Sequence, residues 1–289
     1  MVYSRSCQTV TELVPFSSSP FSLLPNDWLV QSSSAGIKNT KLTCLFDKLV
    51  RPVREQRHAC LDAALYECRT LDETETHLHE QVNDIVNFSY NLRYLHDQLE
   101  FEDVGTHTEK QAHVFAVVQQ VGSHPLVLTT ARAVVDDELD CYELFAGVNK
   151  PAKAAEFVRF AFHPLLDFIG KDEGTKRYRP LLDLHKRYLF RLLLRHMFAF
   201  MEAREIRTVF AILPLHVKVF LEQTGIQLTR VPAAVPAASD KHAFMRQAFY
   251  KYWRPDAKTC RQPALYTVGF CMSPLVQTVD GLSIVIDQE

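Results

Sequence analysis

The period of the hydrophobic positions changes along the chain, and each change predicts an element. In residues 73–98, ETETHLHEQVNDIVNFSYNLRYLHDQ, Leu78, Val82, Ile85, Val86 and Leu92 recur near helical spacing with no Pro or Gly, which predicts a helix; residues 44–68 read as a helix before it. After the breaker DVGTHTEKQ, the run AHVFAVVQQVGSHPLVLTTARAVVDD is β-rich and is divided by Gly122-Ser123-His124-Pro125, a hairpin signature. AEFVRFAFHP follows as a further strand. A loop, LLDFIGKDEGTKRYRP, then leads into LLDLHKRYLFRLLLRHMFAFMEAREI, the clearest helix of the chain. RTVFAILP reads as a strand, LHVKVFLEQTG as a short helix stopped by Gly225, and IQLTRVPAA as a strand; the tail offers a helix, DKHAFMRQAFYKYW, and two strands, PALYTVGF and LSIVID. Residues 1–40, rich in Ser and Pro, predict an irregular arm. The expected fold is a single α/β (α+β) domain over residues 41–289: a helical part at 41–105, a mixed, mostly antiparallel sheet flanked by helices, and a closing helix and strands at 236–289.

Composition narrows the class. The chain has 289 residues, 47% hydrophobic and 23% charged, with a formal net charge of -2, so it can bury a core and carries no general attraction for nucleic acid or an anionic membrane. No stretch reaches the length of a membrane span. The seven cysteines are scattered and never in a CxxC spacing, which points to reduced thiols in the cytoplasm and to no zinc site. His77 and His79 stand two apart on a predicted helix and splay onto different faces, so no metal is expected there either.

Chemistry enters at AEFVRFAFHP. Strict alternation places Glu156 with Val158, Phe160 and Phe162 and turns Arg159 to the other face with Phe157, Ala161 and His163, so the two charges are not expected to pair. A carboxylate on an apolar face has its pKa raised by desolvation toward the range of a general base; an edge-strand Glu facing water is the alternative. Lys171, Lys176, Arg177, Arg179, Lys186 and Arg187 collect before and across the start of the long helix, a setting suited to a phosphate, with a solvated loop as the alternative. No GxSxG, HExxH, P-loop or GxGxxG is present.

The order of these features resembles the GNAT-type N-acyltransferases, within them the acyl-homoserine-lactone (autoinducer) synthases and the long-chain N-acyl amino acid synthases. The resemblance spans about residues 82–235 and rests on Leu92-Arg93-Tyr94, on Arg132 closing a strand in ARAVV, and on Glu156 to Phe160 as a Glu-x-x-Arg-Phe strand. Val158 stands where those synthases carry Ser, THTEKQ with Glu109 stands in place of their paired aspartates, and the usual pyrophosphate loop is missing. The resemblance implies a GNAT-like sheet and transfer of a long acyl chain from a phosphopantetheine thioester, on acyl carrier protein or CoA, to a small amino-acid-like amine, with no permanently bound cofactor. It implies Glu156 as base, Arg132 and Arg159 as grips for the acceptor carboxylate, and Arg93, Tyr94 and Glu109 at the acceptor entrance. Phe160, Phe162 and Phe198 would line the acyl channel, and Lys171, Lys176 and Arg177 would meet the donor phosphate. A short-chain acetyltransferase and a non-catalytic module on the same fold are the competing expectations.

Overall fold

The computed structural model describes residues 40–55, 66–93, 112–121, 124–168, 179–241, 243, 263–270, 275–279 and 282–286. Helix α1 (Thr40–Glu55) buries Phe46, Leu49, Val50 and Val53, one stripe at helical spacing, and helix α2 (Thr76–Arg93) buries Leu78, Val82, Ile85 and Val86. The two stripes meet, with the Phe46 and Phe88 rings 5.8 Å apart.

Strands β1 (Tyr66–Thr70), β2 (Ala112–Val121) and β3 (His124–Val134) form an antiparallel meander, the last two joined across the expected hairpin, where Val121 pairs with His124. Residues 66–68 were expected to end a helix and instead open β1. YECRT alternates, and Tyr66 lies edge-on to Tyr188 while Glu67 is exposed, a two-residue period too short to stand out beside helical sequence. In β3 every residue from Leu126 to Val134 is buried, the near-continuous apolar run of a strand covered on both faces. Its central threonines spend their hydroxyls on neighbouring strands, Thr129 donating to the Ala161 carbonyl at 3.0 Å and Thr130 to that of Phe115 at 2.8 Å.

After a helical turn, α3 (Asp140–Leu144), and the short strand β4 (Phe145–Ala146), the AEFVRFAFHP segment forms β5 (Ala154–Phe162). The loop expected next begins with a short helix, α4 (Pro164–Phe168), and the long helix α5 runs Arg179–Ala203. Strand β6 (Thr208–Leu213), helix α6 (Leu215–Glu222), β7 (Ile226–Arg230), β8 (Val235–Pro236) and β9 (Ala264–Phe270) follow, and β10 (Leu275–Val279) with β11 (Leu282–Ile286) makes a separate antiparallel pair. The expected helix near 240–253 falls mainly outside the described residues, as does the arm at 1–39.

The main sheet has seven strands in the order β1-β2-β3-β5-β6-β9-β7, and within it only β5 and β6 run parallel. It is a mixed, mostly antiparallel sheet between two helical layers, as expected from sequence. One layer holds α1 and α2; the other is α5, whose Leu189, Phe190, Leu193, Leu194 and Met197 are buried. His163, fully buried at the end of β5, fixes the junction: its Nδ1 accepts the Leu165 N–H at 3.3 Å and its Nε2 lies 3.1 Å from the Leu49 carbonyl, tying α1 to the sheet.

Candidate functional site

Strands β5 and β6 pair only through Ala154–Thr208, Ala155–Val209 and Glu156–Phe210. Beyond Glu156 and Phe210 the register ends, although β5 continues to Phe162 and β6 to Leu213, so the centre of the sheet splits into a wedge. Backbone N–H and C=O groups along a split edge need partners from water or from an extended ligand, which makes the wedge a natural seat for an amide-bearing chain. Glu156 sits at its apex.

One extra residue in β5 decides which side chains meet there. Against β3 the register steps from Val158–Arg132 to Ala161–Thr130, and Arg159 at the step has a φ of 58°, in the left-handed region. Alternation breaks at this bulge. Phe157 contacts Phe198 and Phe160 contacts Phe190, both on α5, while the Arg159 guanidinium turns to the α2 side and lies 5.3 Å from the centre of the Tyr90 ring. The face grouping expected from sequence is therefore corrected: Phe160 and Phe162 leave Glu156 for the opposite face, and Arg159 joins it. Arg132 stands on the same face one pair along, donating from Nη2 to Asn83 Oδ1 of α2 at 2.9 Å. A buried carboxylate and two guanidinium groups thus share one face.

Glu156 is 2% exposed, which removes the edge-strand alternative. Its neighbours on this face include Val134, Val158 and Phe210, part of an apolar cluster closed by Leu139, Cys141 and Leu144 around α3. Its Oε2 accepts the backbone N–H of Cys141 at 3.0 Å. Burial, and after it the negative charge of Glu156, pushes the Cys141 thiol well above the usual range, and the thiol also hydrogen-bonds the carboxylate. Burial, then Cys141 and Glu156, raises the Tyr142 phenol to about 12. Both groups stay protonated at neutral pH, and the Cys141 thiol donates to the carboxylate.

On the α5 side the wedge is floored by rings. Phe162, Phe190 and Phe220 lie pairwise 5.6, 5.8 and 5.5 Å apart, one each from β5, α5 and α6, the helix that follows β6. Lys186 Nζ lies 5.1 Å from the centre of the Phe162 ring, which brings one member of the basic set to the open end. Two other members are spent elsewhere, Arg179 beside Asp183 at 3.9 Å and Arg187 donating to Gln223 at 3.0 Å. Lys171, Lys176, Arg177, Tyr94 and Glu109 lie outside the described residues, and of Arg93 only the backbone, at the end of α2, is described. An open pocket with Asp136, Asp137, Lys153 and Arg204 in its lining lies where β5 and β6 begin, at the closed end of the wedge.

Sequence reasoning missed three contributors. Cys141 acts through its amide, for which no residue type is diagnostic; Asn83 is one polar residue among many on α2; Tyr90 is one aromatic residue within the helical run of α2, with nothing in its spacing to mark it. Among the described residues no group of His, Cys, Asp and Glu could hold a metal ion, and no helix is long and apolar enough to cross a membrane.

No protein-family model and no curated protein matches the chain. Among solved structures it is similar to FeeM, an N-acyl amino acid synthase from uncultured soil microbes, at 14% identity over 72% of this chain and 92% of that one, with a TM-score of 0.39. It is similar to the AHL synthase LasI at 12% identity over 78% and 98%, TM-score 0.40, and to an acetyltransferase from Streptococcus agalactiae at 12% over 71% and 98%, TM-score 0.36. At these values no activity passes from those proteins to this chain.

Proposed function

We propose that the chain is a GNAT-type N-acyltransferase, moving an acyl group from a phosphopantetheine thioester, on CoA or acyl carrier protein, to the amine of a small amino-acid-like acceptor. The observation that carries this reading is the split between β5 and β6 with a buried carboxylate at its apex and two arginines beside it. The amide-bearing pantetheine arm lies along the split edges, where strand N–H and C=O groups supply its hydrogen bonds and orient the thioester carbonyl. Glu156 takes the proton of the acceptor ammonium; the amine nitrogen attacks the carbonyl carbon, the C–S bond breaks, and the thiolate leaves and is protonated. Arg132 and Arg159 grip the acceptor carboxylate, for which a planar fork is suited. Arg93, Tyr94 and Glu109 are assigned to the acceptor entrance and Lys171, Lys176 and Arg177 to the donor phosphate. Phe160, Phe162 and Phe198 wall the acyl side, and a long acyl chain would run against them.

A short acyl group is the second reading, favoured by the way Phe162, Phe190 and Phe220 close on one another. Purified protein incubated with CoA and acyl-carrier-protein thioesters of graded chain length and with mixed amino acids tests both, by thiol release and mass spectrometry. An N-acyl product with thiol released in equal amount is expected. Absence of transfer with every donor rejects the proposal.

A further inference from the structure

The carboxylate at the apex is held by a helical turn of one and a half windings, and what holds that turn is a distant segment of the chain. α3 offers Cys141 N–H to Glu156, yet five residues form too short a helix to fix their own position. Residues 231–241 cross over it and are stitched to it repeatedly. Val231 N–H donates to the Leu265 carbonyl at 3.0 Å, anchoring the segment to β9. Val235 and Pro236 pair with Ala146 and Phe145, and Ala237 N–H donates to the Leu144 carbonyl at 2.9 Å. At Gly147, with a φ of 77°, an added Cβ would stand 2.4 Å from the Ala233 carbonyl oxygen, so the two strands of chain approach as closely as backbone allows. The segment ends on Lys241, whose Nζ lies 2.7 Å from Asp140 Oδ1 and 3.0 Å from Glu143 Oε2.

Asp140 and Glu143 flank Cys141, so the turn that binds Glu156 carries two carboxylates of its own. Burial works against the Lys241 ammonium, and the hydrogen bonds and charges of Asp140 and Glu143 outweigh it, holding its pKa above the ordinary lysine range. Lys241 reaches α3 from outside it and sits between half-buried Asp140 and exposed Glu143.

We infer that Lys241 is a positioning residue for Glu156: by bridging Asp140 and Glu143 it pins α3, and through the Cys141 amide it fixes the carboxylate that the proposed reaction uses. The inference rests on that reading for its kinetic consequences and on the hydrogen bonds alone for its structural ones. The charged and titratable groups around Glu156 are Cys141, Tyr142, Asp140 and Glu143 of α3, Arg132 of β3, Arg159 of its own strand and Tyr90 of α2, with Asp137 and Lys150 beside Tyr142. Removing the Lys241 charge leaves the negative members in excess and the turn loose. Both changes raise the pKa of Glu156, which moves the acid limb of the pH–rate profile to higher pH.

Lys241→Met and Lys241→Arg, compared with the natural chain, test this by two readouts. Hydrogen exchange across residues 138–146, followed by mass spectrometry, needs no turnover: at least 10-fold faster exchange is expected in the Met variant and near-natural exchange in the Arg variant. In the acyl-transfer assay the Met variant should lose kcat several-fold with the donor KM unchanged and its acid limb displaced upward, and Arg should restore most of both. Unchanged exchange in Lys241→Met overturns the inference whether or not the natural protein turns over. Faster exchange with a superimposable pH–rate profile overturns the link to Glu156. If the natural protein shows no transfer at all, the proposed function fails and the exchange experiment still decides the structural claim. Should Lys241→Met not fold, Asp140→Asn with Glu143→Gln removes the same bridge, and natural exchange in that variant overturns the inference equally.

Discussion

Glu156 and Phe210 are the last paired residues of β5 and β6, the single parallel contact in the sheet, and beyond them the two strands part. Glu156 at that point is buried among Val134, Val158 and Phe210, with Arg132 and Arg159 on the same face. In the proposed reaction, the position that makes Glu156 costly to bury is the one a ligand laid into the wedge would reach.

The bulge and the side chain at Arg159 can be separated. Arg159→Gly keeps the left-handed φ of 58° and relieves its cost, about 1 kcal/mol, while losing the stacking on Tyr90, about 0.5–1 kcal/mol. Melting temperature should stay nearly constant and the KM for the acceptor should rise at least 10-fold. Arg159→Val, a β-branched residue at positive φ, should lower the melting temperature clearly. Equal stability of the two variants contradicts the bulge as the organising feature.

Arg132→Lys replaces a fork with a point charge on a side chain that is 5% exposed and bonded to Asn83. The variant should fold and lose acceptor binding, read as a higher KM for the acceptor with the donor KM unchanged. Full affinity in Arg132→Lys places the acceptor pocket elsewhere.

How much of this was legible in the sequence follows from what each feature depends on. The hairpin that pairs Val121 with His124 and the long α5 were readable because turn residues and periodicity are local signals. Glu156 was readable as a charge within an apolar strand. Its company was not: one inserted residue at Arg159 changes which side chains share a face, and no residue type announces a bulge when the residue in the left-handed conformation is an arginine instead of a glycine. Likewise the Cys141 contact is made by backbone and depends on where α3 is held by residues far along the chain.

Acid should weaken the fold through two histidines. Burial, aided at His113 by the charge of Arg204, lowers the pKa of His113, and burial lowers that of His196, which also bonds Thr70 at 3.1 Å. A depressed pKa means that the unfolded chain takes up protons first as pH falls through about 6.5, so their contribution is present above that pH and is lost below it. Melting temperature should fall from pH 7 to 5, and His196→Gln should reduce the slope; an identical slope excludes His196 as a source.

Alkali should do the same through Cys68, whose pKa burial raises from 9.0 to about 12. The unfolded thiol ionises first, so this contribution is intact below about pH 9 and declines as pH rises toward 12. Cys68→Ala should flatten that limb in a melting series; an unchanged limb would assign it to other groups.

Phe190 is 1% exposed and touches both Phe162 and Phe220. Phe190→Ala should cost about 3–5 kcal/mol, measured by urea unfolding. Phe220→Ala, at a half-buried position, should cost less and admit donors with longer acyl chains. A donor preference that does not move in Phe220→Ala removes the aromatic floor from acyl selection.

The central claim, that Glu156 is the base at the apex of a split sheet, is tested most directly by the single-turnover rate of Glu156→Gln alongside its melting curve. Gln keeps the shape and an oxygen to accept the Cys141 N–H, and cannot take the proton of the attacking ammonium. The rate should fall on the order of 100-fold or more with the melting temperature nearly unchanged. A natural rate in a stably folded Glu156→Gln protein contradicts the claim.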